Sequence, residues 1–122
     1  MIDQSNLKKC LPLLSTGSGV YLLLNNKQEV LIAQRPQHAL HGGLWEFPGG
    51  KIEHNELDYD ALCRELYEEI GIKVLNAKLL TEYSHQYPNY SVVLSIWSIS
   101  EFLGTPVSRE GQVIRWVPIA QL

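Results

Sequence analysis

Residues 58–71 read Asp58-Tyr59-Asp60-Ala61-Leu62-Cys63-Arg64-Glu65-Leu66-Tyr67-Glu68-Glu69-Ile70-Gly71, and their pattern decides how the chain is read. At about 100° per residue, Tyr59, Leu62, Cys63, Leu66 and Ile70 fall on one side, the stripe of a helix over 58–70. Gly71 supplies its C-terminal stop. Glu65, Glu68 and Glu69 are related by i+3 and i+4, so their carboxylates share one edge beside that stripe. Neighbouring like charges of this kind cost a few tenths of a kcal/mol each in an isolated helix. A solvated acidic face tolerates that cost. A hard divalent cation removes it, since Mg²⁺ prefers carboxylate oxygens and keeps several of its waters.

Outward from this helix, strands dominate. Val20 to Asn25 is apolar and β-rich, Asn25-Asn26-Lys27 predicts a hairpin turn, and Val30 to Ala33 is the returning strand. Ser15 to Gly19 is polar, lacks the Gly-Lys-Ser/Thr of a phosphate-binding loop, and is expected as a lead-in to the first strand. Gln34 to Leu44, with Pro36, Gly42 and Gly43, predicts a loop. Trp45-Glu46-Phe47 alternates and stops at Pro48-Gly49-Gly50, a turn signal. Asn76 to His85 and Ser91 to Ser100 are expected strands joined near Pro88-Asn89. Val113 to Val117 is a last strand after a loop holding Gly104, Pro106 and Gly111. One long helix among several strands predicts a mixed sheet covered by helix, in an α/β or α+β sandwich.

The 122 residues suffice for one domain with one core, expected over residues 1–122. Ten basic against thirteen acidic residues give a net charge of -3, which argues against binding duplex nucleic acid through its phosphates. A small polyanion held through a metal stays compatible with that charge. No stretch approaches the roughly 20 apolar residues of a membrane helix, and Met1-Ile2-Asp3-Gln4 opens no secretory signal. Cys10 and Cys63 form no paired spacing, and two free thiols in a reducing cytoplasm are expected. His38, His41, His54 and His85 show no zinc spacing with cysteine.

The string Gly50-x5-Glu56-x7-Arg64-Glu65-Leu66-x-Glu68-Glu69-x-Gly71-Ile72 resembles the Nudix box, with every defined position filled. Its specific residues, each at typical usage, coincide by chance roughly once in a billion starts. Looser similarity to the MutT-like branch runs from Val20 to about Pro118. The resemblance implies an α/β/α sandwich and Mg²⁺-dependent hydrolysis of a diphosphate bond in a nucleotide, with Mn²⁺ a possible substitute. It implies that the Gly49 carbonyl, Glu65, Glu68 and Glu69 bind metal, and that Glu65 is the general base, although the base varies within the family. Glu110, in Arg109-Glu110-Gly111-Gln112, matches a further metal-binding carboxylate of that branch; a plain surface residue is the alternative. Glu56 and Arg64 match the pair that holds the loop against the helix, and a purely structural salt bridge is equally compatible.

For the substrate, Gln34-Arg35-Pro36 and Trp45-Glu46-Phe47-Pro48-Gly49-Gly50-Lys51 are similar to the MutT group, which acts on oxidised dGTP. By that resemblance Arg35 contacts the phosphates, where its planar fork suits the oxygens. The backbone near Phe47 helps read the base, and Lys51 adds charge. The purine-reading loop departs from the group: Pro88 is followed by Asn89 and Tyr90, which could pair with and stack on a base, or be turn and strand residues. The sequence also stops at Leu122, where the group continues into a base-reading asparagine and a final helix. A nucleoside triphosphate diphosphohydrolase is the leading expectation. Hydrolysis of ADP-ribose or a modified CTP, and a silent Nudix-like module that binds a ligand within a larger repair protein, are the alternatives.

Overall fold

A computed structural model describes residues 14–39 and 41–122, with side chains from Gly17 onward; Cys10 and the opening residues lie outside it. In chain order the elements are β1 (Leu14–Leu23), β2 (Glu29–Gln34), β3 (Trp45–Glu46), β4 (Gly49–Lys51), α1 (Asp58–Ile70), β5 (Lys73–Gln86), β6 (Tyr90–Leu103) and β7 (Val113–Pro118). A single 3₁₀ turn, Ile119–Gln121, follows. The strands form a mixed sheet in the order β4-β1-β6-β5 and an antiparallel sheet in the order β3-β2-β7. Within the mixed sheet β1 runs parallel to β6, while β4 and β5 are antiparallel to their neighbours. Among the described residues α1 is the only α-helix, which makes the fold a mixed α+β arrangement.

The hairpin turn forms where the asparagines predict it. The Asn25 side-chain oxygen accepts the Lys27 and Glu29 backbone N–H groups, and a Leu24–Val30 bridge links the two sheets. The helix also has its expected limits. Gly71 adopts the left-handed conformation at φ 73° and returns its N–H to the Tyr67 carbonyl. Asp58 and Asp60 sit in the first turn, where the helix dipole favours negative charge.

Cross-strand neighbours place the core. Tyr21 lies opposite Trp97 and Leu23 opposite Ile99, and these face Leu62, Leu66 and Ile70 of α1, with Leu31 from β2, Ile72 just before β5 and Val74 from β5. Leu23, Leu62, Leu66, Ile72 and Ile99 are fully buried. Each such side chain contributes about 1.5–3 kcal/mol through burial.

Three local expectations are corrected. First, β1 begins at Leu14, not Val20, because the parallel ladder with β6 runs unbroken from Leu14–Tyr90 to Leu23–Ile99 and carries the polar run into the sheet. Tertiary pairing overrides the weak strand propensity of glycine and serine here. Second, Gly49-Gly50 is not a turn: it forms β4, paired with Val20 and Gly19 of β1. Third, the buried side of α1 comprises Ala61, Leu62, Glu65, Leu66 and Ile70. Tyr59 stays 37% exposed and meets Trp97 edge-on with ring centroids 6.1 Å apart, while Cys63 is half-buried.

Candidate active site

The two glycines of β4 are required by space. Neither has a positive φ among the described residues. A Cβ on Gly49 would run into the Gly19 carbonyl oxygen, and one on Gly50 would overlap the Glu65 carboxylate at Oε2. The sheet edge therefore lies directly beneath the middle of α1. Glu65 is 6% exposed. Its Oε1 accepts a 2.7 Å hydrogen bond from the Tyr21 hydroxyl. Burial pushes its carboxyl above the usual range, and the Tyr21 bond opposes that push.

Between β4 and α1 the chain is tied down by Arg64. Its Nε donates to Glu56 Oε2 at 2.8 Å and its Nη2 to Glu56 Oε1 at 2.9 Å, a two-pronged charge-assisted pair. The Glu53 N–H also donates to Glu56, at 3.0 Å. The Arg64 fork, and then this N–H, hold the Glu56 carboxyl down at about 2. Arg64 further donates to the Lys51 carbonyl at 3.4 Å and to Glu68 at 3.3 Å. One side chain thus joins the loop, β4 and the helix.

A groove of about 200 Å³ opens beside this region, lined in part by Arg35, Glu46, Phe47, Gly49, Glu69 and Glu110. It is smaller than the roughly 300–1,000 Å³ of common ligand pockets, so it takes a small ligand or part of a larger one. Arg35 lies 3.5 Å from Glu46. The Glu69 carboxyl is pushed up to about 8, first by burial and then by Glu65, Glu110, Glu46 and Glu68 around it. The loop carrying Glu110 is held to the end of α1. Val107 and Arg109 donate backbone N–H groups to the Ile70 and Glu69 carbonyls, both at 3.0 Å. The Arg109 guanidinium reaches the Tyr67 carbonyl at 3.1 Å and lies over the Tyr67 ring. The two backbone contacts satisfy carbonyls that a helix end leaves without partners, while the Tyr67 carbonyl also accepts the Gly71 N–H.

The structure thus gathers Arg35, Phe47, Gly49, Glu69 and Glu110 around one groove, with Glu65 behind it. Glu68 instead turns outward to Arg64, and Lys51 is an exposed residue at the end of β4. Asn89 and Tyr90 lie at the β5–β6 turn, outside the groove lining. The Tyr90 ring stacks on Tyr87 with centroids 4.8 Å apart. His38 and His41 are exposed and outside the lining. Sequence reading missed Tyr21, Glu46 and Arg109. None of these carries a local sequence signal, since Arg109 meets the helix end across 42 positions and Tyr21 meets Glu65 across 44.

Among the described residues no three His, Cys, Asp or Glu side chains converge tightly enough to enclose a metal in this arrangement. The donor chemistry nevertheless fits a hard divalent ion. Burial first, and then four other carboxylates, hold the proton on Glu69, with the Gly49 backbone in the same groove. A divalent cation bound there would replace that proton and offset the repulsion.

A NUDIX domain profile matches residues 19–122. The chain belongs to the Nudix family. This Nudix chain is 41% identical over 90 residues to an 8-oxo-dGTP diphosphatase of Proteus vulgaris, a stretch covering 74% of this chain and 80% of that one. It is 34% identical over 97 residues to the CTP pyrophosphohydrolase of Escherichia coli strain K12, covering 80% of this chain and 72% of the relative. Among solved structures it is similar to a MutT studied from Aliivibrio salmonicida and Vibrio cholerae. There the TM-score is 0.75 at 36% identity, with 88% of this chain and 82% of the other covered. The family and these relatives make it a pyrophosphohydrolase. Among the described residues no helix is long and apolar enough to cross a membrane.

Proposed function

We propose that this Nudix enzyme hydrolyses a nucleoside triphosphate to the monophosphate and pyrophosphate, with an oxidised purine such as 8-oxo-dGTP as substrate and Mg²⁺ as cofactor. The observation that carries the reading is the groove itself: Glu69, whose carboxyl burial first and acidic neighbours second push up to about 8, shares one cavity with Arg35. The acidic side suits cations and Arg35 suits the phosphates they accompany. Glu69, Glu65, Glu68, Glu110 and the Gly49 carbonyl are the residues that would hold Mg²⁺, or Mn²⁺ in its place. Bound there, the cation supplies neutralisation of phosphate charge and a more acidic water.

The chain's own residues take the following parts. Arg35 holds the phosphate oxygens. Glu65 Oε2 takes the proton of the attacking water, because Oε1 already carries the Tyr21 hydrogen bond. Burial makes this carboxylate a better base than an exposed one. The new bond joins the water oxygen to phosphorus, and the anhydride bond to the pyrophosphate breaks. Glu56 and Arg64 keep the loop and helix in register and touch no reacting atom.

A modified pyrimidine triphosphate is the second reading. It is favoured by the CTP pyrophosphohydrolase relative and by the placement of Asn89 and Tyr90 away from the groove. We place the enzyme in the cytoplasm, as a single Nudix domain acting on free nucleotides. The test is product analysis with 8-oxo-dGTP, 5-methyl-CTP, ADP-ribose and a dinucleoside polyphosphate in Mg²⁺. Pyrophosphate from 8-oxo-dGTP at the highest kcat/KM is expected, with loss of activity in EDTA and recovery with Mg²⁺. Preferred cleavage of ADP-ribose, or undiminished activity in EDTA, would refute it.

A further inference from the structure

Tyr21 comes from the middle of β1, is 1% exposed, and is the only hydrogen-bond partner described for the Glu65 carboxylate. Three features of the sheet converge on that contact. The Tyr21 N–H donates to the Pro48 carbonyl at 2.9 Å, which sets the height of β1 against the residue preceding β4. Gly19 makes room for the phenol, since a Cβ there would stand 2.6 Å from the Tyr21 hydroxyl. Gly50, paired with Gly19 across the ladder, leaves the space that Glu65 Oε2 occupies. One carboxylate oxygen is therefore bonded, and the other is seated over a residue with no side chain. A buried glutamate has several staggered rotamers open to it. This seat selects one.

We infer that Tyr21 is a positioning residue: its hydroxyl fixes the Glu65 carboxylate so that Oε2 alone is presented at the β4 edge of the site. The inference deepens the proposed function and rests on its assignment of Glu65. Phenylalanine would fill the same core volume and lose only the hydroxyl, leaving the carboxylate free to turn. Misplacement of a reacting group by about 1 Å costs up to a hundredfold. Loss of one orienting bond, with the seat over Gly50 retained, is expected to cost less.

The test compares the whole chain with Tyr21→Phe, Glu65→Gln and the double variant, measuring kcat and KM for the best nucleotide and binding of Mn²⁺ alone by electron paramagnetic resonance. Tyr21→Phe is expected to lower kcat about tenfold with KM within about twofold, and to weaken Mn²⁺ binding by about threefold or more. In the Glu65→Gln background, Tyr21→Phe is expected to add nothing. Leu31→Val, which loosens the same core without touching Glu65, is expected to keep kcat within about twofold. Wild-type kcat and Mn²⁺ binding in Tyr21→Phe, while Glu65→Gln is inactive, would overturn the role of Tyr21 and leave the catalytic reading standing. An equal loss of kcat in Leu31→Val would reduce Tyr21 to packing and also overturn it. Full activity in Glu65→Gln would remove both readings together.

Discussion

Replacing Glu69 by glutamine should make the metal-free protein more stable and the enzyme inactive, and the size of the stability gain follows from the crowding at that carboxyl. Folding holds its proton up to about 8, against an ordinary 4.5. In the unfolded chain the group ionises above about 4.5, so between these values the folded state binds a proton that the unfolded state has lost. Wild-type stability must therefore fall as pH rises through that window, and level off above about 8. At about 1.4 kcal/mol per pH unit the full interval corresponds to at most about 5 kcal/mol. Partial exposure of Glu69 and counter-ion screening reduce this to about 2 kcal/mol. For a chain of this size that is about 8 °C in melting temperature. Glutamine does not titrate. Thermal melts in EDTA should show no gap between Glu69→Gln and wild type near pH 4.5, and a gap of about 8 °C in favour of the variant at pH 9. Excess Mg²⁺ should close that gap by stabilising only the wild type, whose carboxylate can bind it. Turnover of the variant should drop at least about a hundredfold. Equal melting temperatures at pH 9 in EDTA would refute the crowded-carboxyl account.

Three further outcomes are expected. Gly50→Ala places a methyl group against Glu65 Oε2, and should lower both stability, by about 1–3 kcal/mol, and kcat; an unchanged melting temperature would show that the carboxylate moves aside freely. Glu56 is held at about 2 by Arg64, so its contribution is present above about 4.5 and lost as pH falls through about 2. Glu56→Gln should accordingly melt below wild type at pH 7, with the difference vanishing near pH 2 in a pH series of melts. Asn89→Ala, outside the groove lining, should leave KM for every nucleotide of the panel within about twofold; a selective rise for one base would return Asn89 to the binding site.

The helix and its chemistry were legible because they are local. The apolar spacing, the acidic edge and the Gly71 stop lie within fourteen consecutive residues, and the observed α1 has the expected limits. Asn25 likewise encodes its turn through bonds to residues two and four places on. Legibility failed where a partner distant in sequence decides the conformation. Ser15 to Gly19 reads as polar loop, yet lies in a strand because β6 pairs with it along its whole length. Pro48-Gly49-Gly50 reads as a turn, yet its glycines serve close approach to Gly19 and Glu65. Asn89 and Tyr90 read as base contacts or as turn and strand residues, and neither reading names Tyr87 as the stacking partner of Tyr90.

By itself, then, the sequence determined the Nudix membership, the helix, and the identity and spacing of the carboxylates, since each is written in short-range pattern. Only the tertiary structure decided which of those carboxylates face the groove, which is spent on Arg64, and which is buried against Tyr21. The reason is geometric. A residue's helical neighbours are set by a fixed rise and turn, whereas Tyr21 and Glu65 meet across 44 positions only because β1, β4 and β6 align in one register beneath α1.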